Sequence, residues 1–295
     1  WEGVMPKDWN KGLVIEDKYG NQFVWVPVDG KAVKYEKGTK VWDYGDNAEW
    51  EKLTSQIAGD ELPLSLKGIN EEEKGQIEKY EGFYVSRYEA GNNNNTLASQ
   101  EGLRVVNAVT YEQAKGYAES MYRMPKVKSG LLTGTMWDTM MYYLGDNSYT
   151  SSKLTSSTWG NYANTTPTIT LGKTAYSYYS SAWKMDVFST WKSGTAKPAG
   201  TVNTGTNGKG YVWTTGSSEE CKLKNLYDVA GNTWEWTEET AIQATSGGAS
   251  LTSHRVVRGG SAIHSYSTYP ACYRSYYTVS NLDFFIGFRV ALYIK

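Results

Sequence analysis

Cysteine and histidine are scarce: the 295 residues include two of each, Cys221, Cys272, His254 and His264. Two histidines exclude a multi-histidine metal centre, and neither has a spaced partner that would complete one. The two cysteines could form one disulfide in an oxidising compartment, but a chain of this length can bury a core without one. Net charge is nearly absent too. Thirty Lys and Arg against 31 Asp and Glu leave −1, so no basic field is available to hold phosphates and a nucleic-acid partner is not expected. No apolar run approaches the length needed to cross a bilayer, and nothing at Trp1 resembles a signal peptide. A start at Trp rather than Met reads as a trimmed N-terminus, with any export signal or anchor removed. Phenylalanine, at six, is outnumbered by 12 Trp and 24 Tyr. Aromatics with a polar handle suit half-buried positions and recognition surfaces.

What is present begins with Gln22-Phe23-Val24-Trp25-Val26-Pro27-Val28, a β-branched and aromatic run between turn residues that predicts a strand. Residues 43–80 turn acidic and polar and read as a solvated insertion. Gly82 to Tyr88 predicts a second strand, and Thr110-Tyr111-Glu112-Gln113 is a capping box opening a helix. Another helix is expected from Thr135, with Trp137, Met140, Met141 and Leu144 on one face and Gly145 at its end. Between Asp146 and Gly216, Ser, Thr, Gly, Asn and Tyr dominate, which predicts long loops and short strands packed on the core. The last segment alternates Ile286, Phe288, Val290, Leu292 and Ile294, as a strand buried on one face should, and is expected to pair with the early strand. The glycines of Gly205 to Gly210 lack the strand and helix around a phosphate loop, and Glu238-Glu239 is an ordinary acidic pair that supports no glycosidase reading.

Three stretches carry a family likeness. Leu226-Tyr227-Asp228-Val229-Ala230-Gly231-Asn232-Thr233-Trp234-Glu235-Trp236 resembles the YDMxGNVWEW signature of formylglycine-generating enzymes and their sulfatase-modifying-factor relatives. Val257-Arg258-Gly259-Gly260-Ser261 and Gly287-Phe288-Arg289-Val290-Ala291 match that superfamily's RGGS and GFR ending, in the right order. The resemblance implies a single α+β domain over residues 1–295 with a loop-rich C-type-lectin-like fold. It also implies a copper-binding cysteine pair shortly after the GGS motif, for which thiolate softness is needed. Here those places hold His264 and Tyr269, which argues against the oxidase. A structural Ca²⁺ would, by the same resemblance, be held by the stretch containing Asp228, Gly231, Thr233 and Glu235. The competing expectation, and the favoured one, has Asp228 and Glu235 satisfying backbone groups around a tight turn.

Between those two anchors, Ala262 to Phe285 is rich in Tyr and Ser, as paratopes are, because Tyr offers rigid contact area and Ser adaptable hydrogen bonds. Lys, Glu, Gln, Met and Trp are missing from it. Those five are the residue types that codons ending in a pyrimidine cannot encode, as though adenines in Asn-type codons had been randomised. This resembles the variable proteins of diversity-generating retroelements, whose diversified residues occupy the same C-terminal segment ending in GFR. Over the region 259–289 the resemblance implies ligand contacts from Ala262, Ile263, His264, Tyr266, Thr268, Tyr276, Tyr277, Val279, Leu282, Asp283, Phe284 and Phe285, with Pro270, Tyr273 and Arg274 as scaffold. The expected function is non-enzymatic binding of a protein or glycan on a cell or host surface, by a protein displayed on a cell surface or phage virion. Alternatives are an oxidase relative and a structural virion or pilus subunit.

Overall fold

The computed structural model describes residues 2–4, 11–28, 79–146, 154, 159–179, 185–203, 208–242 and 250–294. Residues 43–78 of the acidic insertion lie outside them. In chain order the first strands are Glu2–Val4 (β1), Val14–Glu16 (β2), Gln22–Pro27 (β3), Gly82–Ser86 (β4), Gly91–Asn93 (β5), Thr96–Ala98 (β6) and Arg104–Val105 (β7). Helix α1, Tyr111–Met121, is followed by Arg123–Met124 (β8), Val127–Leu131 (β9) and helix α2, Gly134–Leu144. The loop-rich part contributes Lys173–Tyr179 (β10), Met185–Lys192 (β11) and Gly210–Trp213 (β12), then Lys222–Leu223 (β13) and Leu226–Tyr227 (β14). The chain closes with Trp234–Ile242 (β15), Ser250–Arg258 (β16), Arg274–Thr278 (β17), Ile286–Phe288 (β18) and Val290–Ile294 (β19).

Two sheets matter most for function. One runs β1-β2-β3-β4-β19-β9-β8, and the other β17-β16-β15-β18. The terminal alternation is therefore two strands, not one: β18 pairs in parallel with β15, while β19 lies between β4 and β9. The early strand β3 does not pair with β19, because β4 is interposed. Nor is only one face buried. Gly287, Arg289 and Ala291 are as buried as Phe288 and Val290, since helices or loops cover both sides.

The capping box forms as predicted: Gln113 N donates to Thr110 Oγ1 and Thr110 N donates to Gln113 Oε1. Helix α2 starts one residue earlier than expected, at Gly134, and Thr133 caps it, its hydroxyl accepting from Met136 N. Trp137, Met140, Met141 and Leu144 are wholly buried against Val24 and Val85 of β3 and β4, each contributing roughly 1.5–3 kcal/mol of burial. A second cluster joins Trp234 and Trp236 of β15 to Val257, Phe288 and the small residues Ala114 and Ala118 of α1. The segment 262–285 is built on this second cluster. Among the described residues no helix is long and apolar enough to cross a membrane.

Candidate ligand-binding surface

The segment begins at a turn only glycine can make. Gly259 and Gly260 both take left-handed φ, 92° and 77°, and a Cβ on Gly260 would lie 2.4 Å from Tyr269 O. After this turn the next four residues, Ser261 to His264, are buried. Ala262 and Ile263 enter the second core cluster, and His264 is 9% exposed with its Nδ1 2.7 Å from Ser261 Oγ. Its ring stands edge-on to Trp234 and to Tyr269, with centroids 5.4 and 4.5 Å away, and Tyr269 continues to Tyr273 at 4.8 Å. The two places where the resemblance puts copper-binding thiolates are thus filled by aromatic rings in contact. Burial holds the His264 imidazole down at about 4, so it is neutral at pH 7. In an NMR titration its ring signals are expected to shift near pH 4 rather than near the ordinary value of about 6.5.

The twelve expected contact residues divide by burial. Ala262, Ile263, His264 and Phe285 are core residues. Their assignment as contacts is corrected, because an inward turn at one end and the start of β18 at the other bury them. Thr268 and Leu282 are exposed, and Tyr266, Tyr276, Tyr277, Val279, Asp283 and Phe284 are half-buried. Asp283 accepts from Phe285 N through Oδ1, a local cap, and burial raises its pKa. Pro270 and Tyr273 are buried and Arg274 half-buried. Ser267, Thr278 and Ser280 are exposed in the same segment, though no residue-type signal distinguishes them from serines and threonines elsewhere.

Main-chain atoms of the segment are held by groups outside it. Asn203 N donates to Ile263 O (2.7 Å), Ala163 N to His264 O (3.0 Å), Tyr111 N to Val279 O (3.1 Å) and Trp234 N to Phe285 O (2.7 Å). Side chains do the same: Trp137 Nε1 donates to Ala271 O, Arg258 Nη2 to Cys272 O and Asn107 Nδ2 to Phe284 O. Asn164 Oδ1 accepts from Tyr266 N. Asn164 carried no motif, and neither it nor Asn107 was legible as part of the surface.

Asp228 and Glu235 are buried with Glu89 around a single guanidinium, that of Arg289. Asp228 accepts from Trp213 Nε1 and Gly216 N. Both oxygens of Glu235 face Arg289, at 2.9–3.2 Å. Glu89 accepts from Thr233 N and Oγ1 and from Asn232 Nδ2. The oxygens are spoken for separately, and among the described residues no three His, Cys, Asp or Glu side chains converge to hold a metal ion. The side chains do not fit the Ca²⁺ that the resemblance implied. Burial is the main cause that raises Asp228, to about 6, and Glu89, well above the usual carboxylate range. Cys221 and Cys272 are both buried, in different clusters.

The Asp228 turn, the Gly259-Gly260 turn and the Arg289 cross-link lie within residues 72–294, which match a family model, the sulfatase-modifying factor enzyme 1-like domain. The chain belongs to that family. The sulfatase-modifying factor domain accordingly has the C-type-lectin-like fold of formylglycine-generating enzymes, mostly strands with two helices. Among solved structures the chain is similar to PvdO from Pseudomonas aeruginosa, at 14% identity and a TM-score of 0.47 over 95% of this chain and 98% of that one. It is similar to CarF at 14% and 0.41, over 72% and 87% of the two chains. Treponema denticola variable protein 1 is similar at 14% and 0.31, over 92% and 84%. No curated protein matches.

Proposed function

We propose that this sulfatase-modifying factor domain is a non-enzymatic binding protein whose surface between Tyr266 and Phe284 displays interchangeable side chains on a fixed backbone. One observation carries the reading: the segment is fastened through its own main-chain atoms, from Ile263 O to Phe285 O, by groups elsewhere in the chain. Such bonds are indifferent to the side chains at 266, 268, 276 or 282, so those can change without refolding the loop. The restricted alphabet of the segment fits the same idea. So does the aromatic filling of the two thiolate places, since His264 and Tyr269 offer no soft ligand for Cu(I). The partner is a protein or glycan on a cell or host surface, met by Tyr and Ser side chains with little charge, and display in several copies would add avidity.

Simultaneous replacement of the exposed Thr268, Thr278, Ser280 and Leu282 by other residues of the same alphabet, such as Asn, Tyr or Ile, is expected to leave the thermal midpoint within a few degrees while changing which surfaces the protein binds. Substitutions at exposed sites typically stay within about 0.5 kcal/mol. Scanning calorimetry and a glycan and protein array would read the two halves separately. Loss of fold in most such variants would sink the proposal. So would copper-dependent oxygen uptake with a cysteine peptide.

A further inference from the structure

Resting on that reading, we infer that Lys197 is a positioning residue, setting from beneath the turn on which the display segment begins. That turn runs from Gly160 to Thr165. Gly160 takes a left-handed φ of 97°, and a Cβ there would stand 2.2 Å from Ala230 O. The Thr165 hydroxyl closes the turn, lying 2.7 Å from Gly160 O and accepting from Tyr162 N. Four contacts reach from the turn to the segment. Tyr162 OH donates to Gly259 O (2.9 Å), Ala163 N to His264 O (3.0 Å) and Asn164 Nδ2 to Ser265 Oγ (3.2 Å), while Asn164 Oδ1 accepts from Tyr266 N (3.4 Å). The turn is therefore the seat of residues 259–266, and a tilt of the seat carries Tyr266 with it.

Lys197 is 1% exposed, and its ammonium donates to Tyr162 O at 2.5 Å. Among the described residues no carboxylate pairs with it, and the titratable side chain whose charge it feels is that of Cys221. Burying an ammonium without a counter-charge is costly, and a methionine would fill the same space without that cost. What the ammonium adds is a charge-assisted bond to one carbonyl. The Tyr162 carbonyl shares its peptide unit with Ala163 N, and a peptide unit is planar and rigid. Fixing its oxygen on Lys197 therefore fixes the direction of its N–H, which points at His264 O. The charge also polarises that N–H, strengthening the second bond through the first. One peptide plane thus links a buried cation to the first turn of the display segment.

The test uses NMR on the protein without any ligand, so that its outcome is independent of whether the segment binds anything. Burial lowers Lys197 to about 8, while it raises Cys221 and Tyr162 well above their ordinary values and holds His264 at about 4. In the wild type the carbonyl ¹³C shifts of Tyr162 and His264 are expected to titrate together with a midpoint near pH 8, and Lys197→Met should abolish both titrations. The same variant is expected to speed exchange of the Ala163 amide about tenfold while β3 and β4 keep their wild-type rates, with a thermal midpoint no lower than that of the wild type. Wild-type exchange at Ala163 in Lys197→Met, or equal acceleration at Ala163, β3 and β4, would overturn the inference. Should the variant fail to fold, the wild-type titration decides: a shared midpoint supports the link, and a His264 carbonyl that stays flat rejects it.

Discussion

Arg289→Met is expected to destabilise the domain by about 3–5 kcal/mol, the cost of removing one partner from a buried ion pair. Arg289 is 1% exposed. Besides Glu235 it donates to Ser86 O (2.8 Å) and Tyr227 O (2.7 Å), so its loss takes a donor from carbonyls on β4 and β14 as well as the partner of a buried carboxylate. Three buried acids, Glu89, Asp228 and Glu235, would then lose the guanidinium that favours their charged forms, and their protonation would be promoted further. Urea unfolding should show the loss as a lower midpoint at unchanged slope. A variant within about 1 kcal/mol of the wild type would mean that the guanidinium does not hold these strands together.

The same cluster sets a pH dependence. Glu89 is raised chiefly by burial, then by the charges of Asp228 and Glu235. A carboxyl whose pKa is higher folded than unfolded contributes stability that is fully present below its unfolded value and is lost as pH rises toward and through the folded one. Asp228, raised to about 6, acts in the same direction. His264, lowered to about 4, acts oppositely, its contribution being lost as pH falls below the ordinary histidine value. From pH 8 down to about 6.5 Glu89 and Asp228 therefore give the thermal midpoint an upward slope, against which Lys197, lowered by burial to about 8, and His264 act. Glu89→Gln, which mimics the protonated carboxyl, should flatten that slope. An unchanged slope in the variant would assign the dependence to other groups.

Phe285→Ala is the second large effect, expected to cost about 3–5 kcal/mol, as core Phe truncations do. Phe285 is 3% exposed and packs in the cluster of Trp234, Trp236 and Ile286. Leu282→Ala, three residues earlier, removes a side chain that is 62% exposed and should change stability by no more than about 0.5 kcal/mol. The contrast, read by calorimetry on the two variants, locates the edge of the display surface. Equal costs would mean that Leu282 is covered, and the surface would have to be redrawn.

That edge was the part least legible beforehand. In a turn-rich segment neither the strand period nor the helix period applies, so nothing in Ala262-Ile263-His264 announces that all three point inward. The direction comes from the two left-handed glycines before them. Asp228 and Glu235 were legible as a pair near one turn. Their partners were not, because Trp213, Glu89 and Arg289 come from three other parts of the chain. By contrast the helices, the early strands and the core stripe of α2 follow from local rules: a capping box, a Gly stop, apolar residues at helical spacing.

By itself the sequence determined the local elements, the glycines at 231 and at 259-260, the absence of a thiolate pair after Ser261, and the restricted alphabet from Ala262 to Phe285. These depend on residue type and spacing along the chain. Only the tertiary structure decided which members of that alphabet face outward, that β4 separates β3 from β19, and that Glu89 and Arg289 enclose Asp228 and Glu235. Those are long-range matters, settled by which distant backbone donors meet the segment's carbonyls and by which buried charges must balance.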